Sequence, residues 1–412
     1  AAIGVRGEVG VGKSRLCDEF LAQCARDGVG VFRWRVLSHL RGTPYLSLVA
    51  ELRRLFSLSP DDQGAEVRRV LHERLAALGP GATSAAPFFE RLLGVASDSQ
   101  PAADPNDPGR MRLMLNAFLA AMGHRQAAVV LIEDAHWLDE ASLRIVELAL
   151  DAVAGTRVLL LLNFRPEFRR PGVPGYAEIA LPPLGPRAAN ELLLRLLGDS
   201  ETLADLALDI RERSHGTPFF MEELVTMLAD TGALIGVRGA YRPGPNRGRA
   251  TLPSSLQALL ESRIDLLGAR EKMVLQAASV LGRTFSPDLL YRVLSLPRED
   301  IDEAVVALLE GDFITARAGA QDEYAFRHPM MQEQAYASQV KEDLAAAHAR
   351  VARACSDVYS ERLDERAALI AHHWEHAGNF REAAVWAQRA AAWVGQRNLG
   401  EGLRGVHGVL AD

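Results

Sequence analysis

The chain has 412 residues, 48% hydrophobic and 24% charged, a composition that fills about two to four packed domains and excludes a disordered or fibrous protein. Its formal net charge of -7 offers no global basic field to nucleic acid. No apolar run approaches the roughly 20 residues of a membrane-spanning helix, and no signal-peptide pattern opens the chain. Three cysteines, Cys17, Cys24 and Cys355, are too few for a disulfide framework or a four-ligand zinc site and suit a reducing compartment, so the cytoplasm is the expected location.

The first residues are apolar and run as a strand into a glycine-rich loop. A helix follows in "KSRLCDEFLAQCARDG", with Leu16, Phe20, Leu21 and Cys24 at helical spacing and Gly28 as its stop. "VGVFRWRVLS" reads as a second strand, and residues 40–124 read mostly as helices, an insertion broken by the Pro/Asp-rich "DSQPAADPNDPG". "AAVVLIEDAHW" is a strand ending in two acids, "DEASLRIVELALDAVAG" is a helix with Asp139 as N-cap, and "TRVLLLLNFRPEF" is another apolar strand. Such strands alternating with helices predict an α/β core with a parallel sheet covered on both faces, over residues 1–180.

Beyond it the strand signal gives way to helices, a lid over residues 181–250. Residues 251–341 read as three helices closed by the strand-like "FITARAG" and "EYAFRH", which suggests a winged-helix domain. Residues 342–412 are Ala-rich and helical, with one tetratricopeptide-like unit in "AALIAHHWEHAGNFREAAVWAQRAA". A lone unit cannot bury its own face, so further repeats are expected beyond Asp412.

Gly7-Glu8-Val9-Gly10-Val11-Gly12-Lys13-Ser14 matches G-x-x-x-x-G-K-[ST] in full, between a strand and a helix. There Gly7, Gly10 and Gly12 let backbone N–H groups curl round a phosphate, Lys13 reaches the β and γ phosphates, and Ser14, with Arg15 beside it, opens the helix and can ligate Mg²⁺. Such a loop also needs an acid at a neighbouring strand end; Glu133 would support the metal through its water and Asp134 would act as general base. Asn163 and Arg165, at the tip of the strand in "LLLLNFRPEF", are candidate γ-phosphate sensors, with a structural pairing of Arg165 to Glu167 as the alternative.

Three further features read as structural. His372 and His376 have metal-ligand spacing, with His373 beside them, but lack a third ligand, so core or surface histidines are the expected reading. Trp137 and Trp374 read as packing residues. Arg238, Arg242, Arg247 and Arg249 make the one local basic patch, read as a solvated loop.

Together "GEVGVGKSRL", "VVLIEDAHWLDEASL", "LLNFRPEF", "RSHGTPFFMEELVTML", "LPSSLQALLESRIDLL" and "YAFRHPMMQEQAYAS" resemble the AAA-like modules of signal-transduction ATPases with numerous domains. The likeness is to large bacterial proteins joining such a module to a class III adenylate or guanylate cyclase or to a LuxR-type DNA-binding domain, with tetratricopeptide repeats behind. The resemblance implies a switch in which ATP or ADP, with Mg²⁺, is gripped by core, lid and winged helix. It implies that Pro218 of Gly216-Thr217-Pro218 lies against the adenine, that His328 reads the β-phosphate, and that Arg165 is the strand-end sensor. The family's opening "GRE"-like segment is absent and the chain begins with Ala, so a piece of a longer protein is expected.

The expected function is therefore an ATP-binding, slowly hydrolysing regulatory module, its output carried by an effector domain outside this chain and its signal by protein partners. A DNA-binding regulator of the LuxR-like class and a nucleotide-stabilised interaction scaffold are the rivals. Direct nucleic-acid or membrane binding is not expected of this chain.

Overall fold

The structure, a computed structural model, describes residues 1–36, 45–59, 62, 64–95, 107–169, 171–246, 252–317, 323–360 and 363–395. The chain divides into two compact units: residues 1–6, 14–179 and 345–412 form the first, residues 7–13 and 180–344 the second. Among the described residues no helix is long and apolar enough to cross a membrane.

The first unit is built on a five-stranded sheet. Its strands are β1 (Ala2–Arg6), β2 (Gly30–Arg35), β3 (Ala128–Glu133), β4 (Val158–Phe164) and β5 (Tyr176–Ala180), in the order β2-β3-β4-β1-β5. The pairs β2–β3, β3–β4 and β4–β1 are parallel, with Arg35 opposite Glu133, Ile132 opposite Leu162 and Arg6 opposite Phe164. "AVVLIE" and "VLLLLNF" are almost wholly buried, which is why they read as unbroken apolar runs: both faces of a parallel strand are covered. Strand β5 carries no such run and is half exposed, so its pattern did not declare it in the sequence.

Helix α1 (Lys13–Arg26) follows the glycine loop, and its buried apolar residues are Cys17, Leu21 and Cys24. The expected inward positions Leu16 and Phe20 are instead 43% and 41% exposed, because the covered stripe starts one residue later, at Cys17. Between β2 and β3 lie α2 (Leu46–Leu55), α3 (Gly64–Leu78), α4 (Pro80–Thr83), α5 (Ala86–Leu92) and α6 (Pro108–Arg125), the predicted helical insertion. Phe56, Phe89 and Phe118 form its centre, edge to face with ring centroids 4.8 to 6.2 Å apart. Much of "DSQPAADPNDPG" lies outside the described residues.

Helix α7 (Glu140–Ala152) is capped by Asp139 as expected: Ser142 N–H donates to its Oδ1 at 2.8 Å and Ser142 Oγ to its Oδ2 at 2.6 Å. Tyr45 N–H, just before α2, also reaches Asp139 Oδ1 at 3.3 Å, so one buried carboxylate joins the insertion to the segment after β3. Asp139→Ala is expected to lower stability by about 1–2 kcal/mol, read as a shifted urea midpoint, while Asp139→Asn retains most of it.

The second unit begins with α8 (Pro186–Leu197), α9 (Ala204–Ser214) and α10 (Pro218–Asp230), packed through Leu193, Leu197, Ile210, Met221 and Leu224. A two-residue hairpin, β6 (Leu234–Ile235) against β7 (Arg242–Pro243), interrupts what the sequence suggested was purely helical. Then come α11 (Leu256–Asp265), α12 (Ala269–Leu281), α13 (Pro287–Val293) and α14 (Arg298–Glu310). The two expected strands are β9 (Ile314–Arg317) and β10 (Glu323–Phe326); a third, β8 (Thr284–Phe285), completes an antiparallel sheet in the order β8-β10-β9. Helix α15 (Pro329–Ala337) follows; α16 (Lys341–Val358) runs from residue 345 on in the first unit, to which α17 (Leu363–His376) and α18 (Phe380–Gly395), packed as a pair, also belong. Trp374 is buried, Trp137 packs half-buried against the core of the first unit, and all three cysteines are buried free thiols.

Candidate functional site

The glycine loop leaves β1 at Gly7 and enters α1 at Lys13. Gly10 and Gly12 take φ of +79° and +99°, a left-handed backbone that favours glycine, and a Cβ on Gly10 would lie 3.1 Å from Phe219 Cβ. These conformations let consecutive N–H groups turn to one side, the geometry that cradles an anion. The Lys13 ammonium donates to the carbonyls of Gly7 and Glu8, both at 2.8 Å, and the residue is only 8% exposed. Ser14 and Arg15 stand exposed in the first turn of α1.

Loop residues 7–13 group with the second unit through α10. Phe219 N–H donates to the Gly10 carbonyl at 3.2 Å, and Leu184 N–H to the Gly216 carbonyl at 2.8 Å. Pro218 is the first residue of α10, a position where its missing N–H costs nothing. The Phe219 ring lies flat on the His328 ring, centroids 3.7 Å apart and planes 15° from parallel. His328 caps α15: its Nδ1 accepts Met330 N–H at 3.2 Å, which puts the proton of the neutral ring on Nε2.

In the first unit β1 and β3 run parallel in one sheet, so Glu133 ends on the edge from which the glycine loop departs. Its carboxylate is buried and held by two arginines of β2, Arg35 Nε at 3.0 Å and Arg33 at 3.8 Å. Asp134 follows at φ +57°, and its N–H donates to Asn163 Oδ1 at 2.7 Å. Asn163, fully buried, also directs its Nδ2 at Cys17 Sγ of α1, 3.9 Å away. Burial pushes the Cys17 thiol up to about 11, so it is no nucleophile here. The Arg165 guanidinium lies over the Trp137 ring at 5.7 Å.

Residues 2–162 match the AAA ATPase domain family, a span that takes in the whole glycine loop and the pair Glu133-Asp134. Over that span the chain is similar to AAA ATPase domains. A solved STAND protein (signal transduction ATPase with numerous domains) with a tetratricopeptide repeat sensor, from Pyrococcus horikoshii, is similar in fold over 98% of this chain and 55% of its own, with a TM-score of 0.56 and 11% identity. At that identity the likeness is one of fold. An uncharacterized protein of Rhizobium meliloti (strain 1021) is 28% identical over 393 residues, covering 92% of this chain and 37% of that protein. The chain thus spans little more than a third of that relative and about half of the Pyrococcus protein.

Within the first unit, sequence reasoning missed the arginine clamp on Glu133. Arg33 and Arg35 are two apart on one strand and so share a face, a readable signal; their pairing with Glu133, about a hundred positions on, needs the strand order. Asn163, one of the two candidate sensors, accepts the backbone N–H of Asp134. Arg247 and Arg249 of the basic patch lie outside the described residues, and Arg238 pairs with Glu222 at 3.1 Å.

Proposed function

We propose that the chain is a cytoplasmic ATP-binding switch module with slow hydrolysis. In this reading residues 181–250 are its lid, 251–341 a winged helix and 342–412 the start of a tetratricopeptide-like region. The single observation that carries the switch is Phe219. Its N–H bonds the glycine loop at Gly10 and its ring stacks on His328, so a phosphate seated in the loop acts on α10 and α15 through one residue.

The loop glycines, Lys13, Ser14 and Arg15 hold the phosphates, and Pro218 lies against the adenine. His328, with Nε2 as donor, reads the β-phosphate, while Asp134 orients water and Arg165 senses the γ-phosphate. Bound Mg²⁺ would neutralise charge on the β and γ oxygens. Ser14, exposed in the first turn of α1, fits as its hydroxyl ligand. Glu133, already clamped by Arg35 and Arg33, fits better as an acceptor from metal-bound water than as a direct ligand. The helices α12–α14 closed by the three-stranded sheet support the winged-helix reading.

Limited proteolysis tests the switch. ADP and a non-hydrolysable ATP analogue are expected to give different cleavage patterns in the second unit. Phe219→Ala should bind both nucleotides within a few-fold of the unaltered chain yet give one pattern. Identical patterns in the unaltered chain, despite saturation, would leave only a nucleotide-stabilised scaffold.

A further inference from the structure

Away from the nucleotide residues, four imidazoles gather between α16 and α17: His348, His372, His373 and His376. His372, Glu375 and His376 lie at i, i+3 and i+4 on α17, one face of the helix, and their ligand atoms all fall within 4.8 Å of one another. His348, on α16, joins them from across the pair, its ring centroid 5.0 Å from that of His376 and 6.2 Å from that of His372. The third ligand that the sequence lacked is thus supplied within the helix turn and by a residue 24 positions upstream of His372.

The hydrogen bonds prepare these rings as ligands. His376 Nδ1 donates to the His372 carbonyl at 2.9 Å, which fixes the tautomer and leaves the lone pair on Nε2, the arrangement that commonly orients a metal-bound histidine. His348 and His373, each 2% exposed, face each other Nδ1 to Nδ1 at 2.9 Å, so one ring donates and the other accepts.

We propose that His372, Glu375 and His376, completed by His348, bind one divalent ion of the zinc class and so fasten α17 to α16. Imidazole nitrogens with one carboxylate suit zinc, nickel or copper and disfavour magnesium and calcium, which seek oxygen. Tetrahedral zinc needs ligand atoms about 3.4 Å apart. Glu375 is exposed, so its carboxylate can take up another rotamer without moving a helix.

The test uses the full chain, stripped of metal and free of nucleotide, with Zn²⁺ titrated against a chromophoric chelator. One ion per chain is expected, bound more than about ten-fold more weakly by His376→Gln and without a specific site in the His372→Gln/His376→Gln double variant. Co²⁺ added to the unaltered chain should give the intense visible bands of a tetrahedral ion. Zn²⁺ binding no stronger than in the double variant, or Co²⁺ that stays pale and octahedral, would overturn the proposal. Should the double variant lose its helical circular dichroism, the cobalt spectrum of the unaltered chain decides by itself.

Discussion

Lys13→Ala is expected to weaken ATP binding by about 100-fold or more, measured by titration with a fluorescent ATP analogue. The ammonium is the one cation inside the loop motif, and charge-assisted bonds to phosphate oxygens contribute about 1.5–3 kcal/mol each. Its position also explains why the fold should survive. Lys13 Nζ bonds the carbonyls of Gly7 and Glu8 at 2.8 Å, both within its own loop, so their loss is local and of the order of 1 kcal/mol. An unchanged circular dichroism spectrum with lost binding is the expected pair of results. Undiminished affinity would remove the nucleotide reading.

The largest stability loss is expected at Arg263→Ala, which should destabilise the second unit by about 3–5 kcal/mol in urea denaturation. Arg263 is 3% exposed. It pairs with Glu223 of α10, donates to the Gly311 carbonyl at 2.7 Å, and lies over the Phe313 ring at 4.8 Å. One side chain of α11 thereby joins α10 to the turn before β9. Burial pushes the Glu223 carboxyl up and the Arg263 guanidinium opposes that rise. With the arginine gone, the folded chain holds the Glu223 proton more tightly than the unfolded chain does. The variant should therefore regain stability as pH falls from 7 toward the ordinary glutamate value of 4.5, and lose it again as pH rises. Arg263→Met with Glu223→Leu, which removes both charges, should restore much of the loss. A pH-independent deficit in Arg263→Ala would show that lost packing alone is responsible.

Elements whose signal is local were legible in the sequence. The buried strands β3 and β4 are continuous apolar runs, Asp139 is a cap followed three residues later by its partner Ser142, and the glycine loop is a fixed spacing between strand and helix. Strand β5 was not legible, because a half-exposed edge strand has no apolar run, and the inward face of α1 was misplaced because Leu16 and Phe20 are as apolar as Leu21. The histidine cluster shows the same limit from the other side. His372 and His376 announce themselves at i and i+4, but His348 is recruited only by the packing of α16 on α17.

By itself the sequence determined that a glycine-rich loop stands between a strand and a helix, that two acids close a later strand, and that helices follow; these depend on neighbours along the chain. Only the tertiary structure decided that Arg35 and Arg33 clamp Glu133, that Asn163 holds Asp134, that Phe219 joins Gly10 to His328, and that Arg263 joins α11 to α10. Each of those contacts closes a chain separation of tens to more than two hundred residues. Sequence spacing carries no record of such closures, because it is the burial of apolar faces elsewhere that brings the partners together.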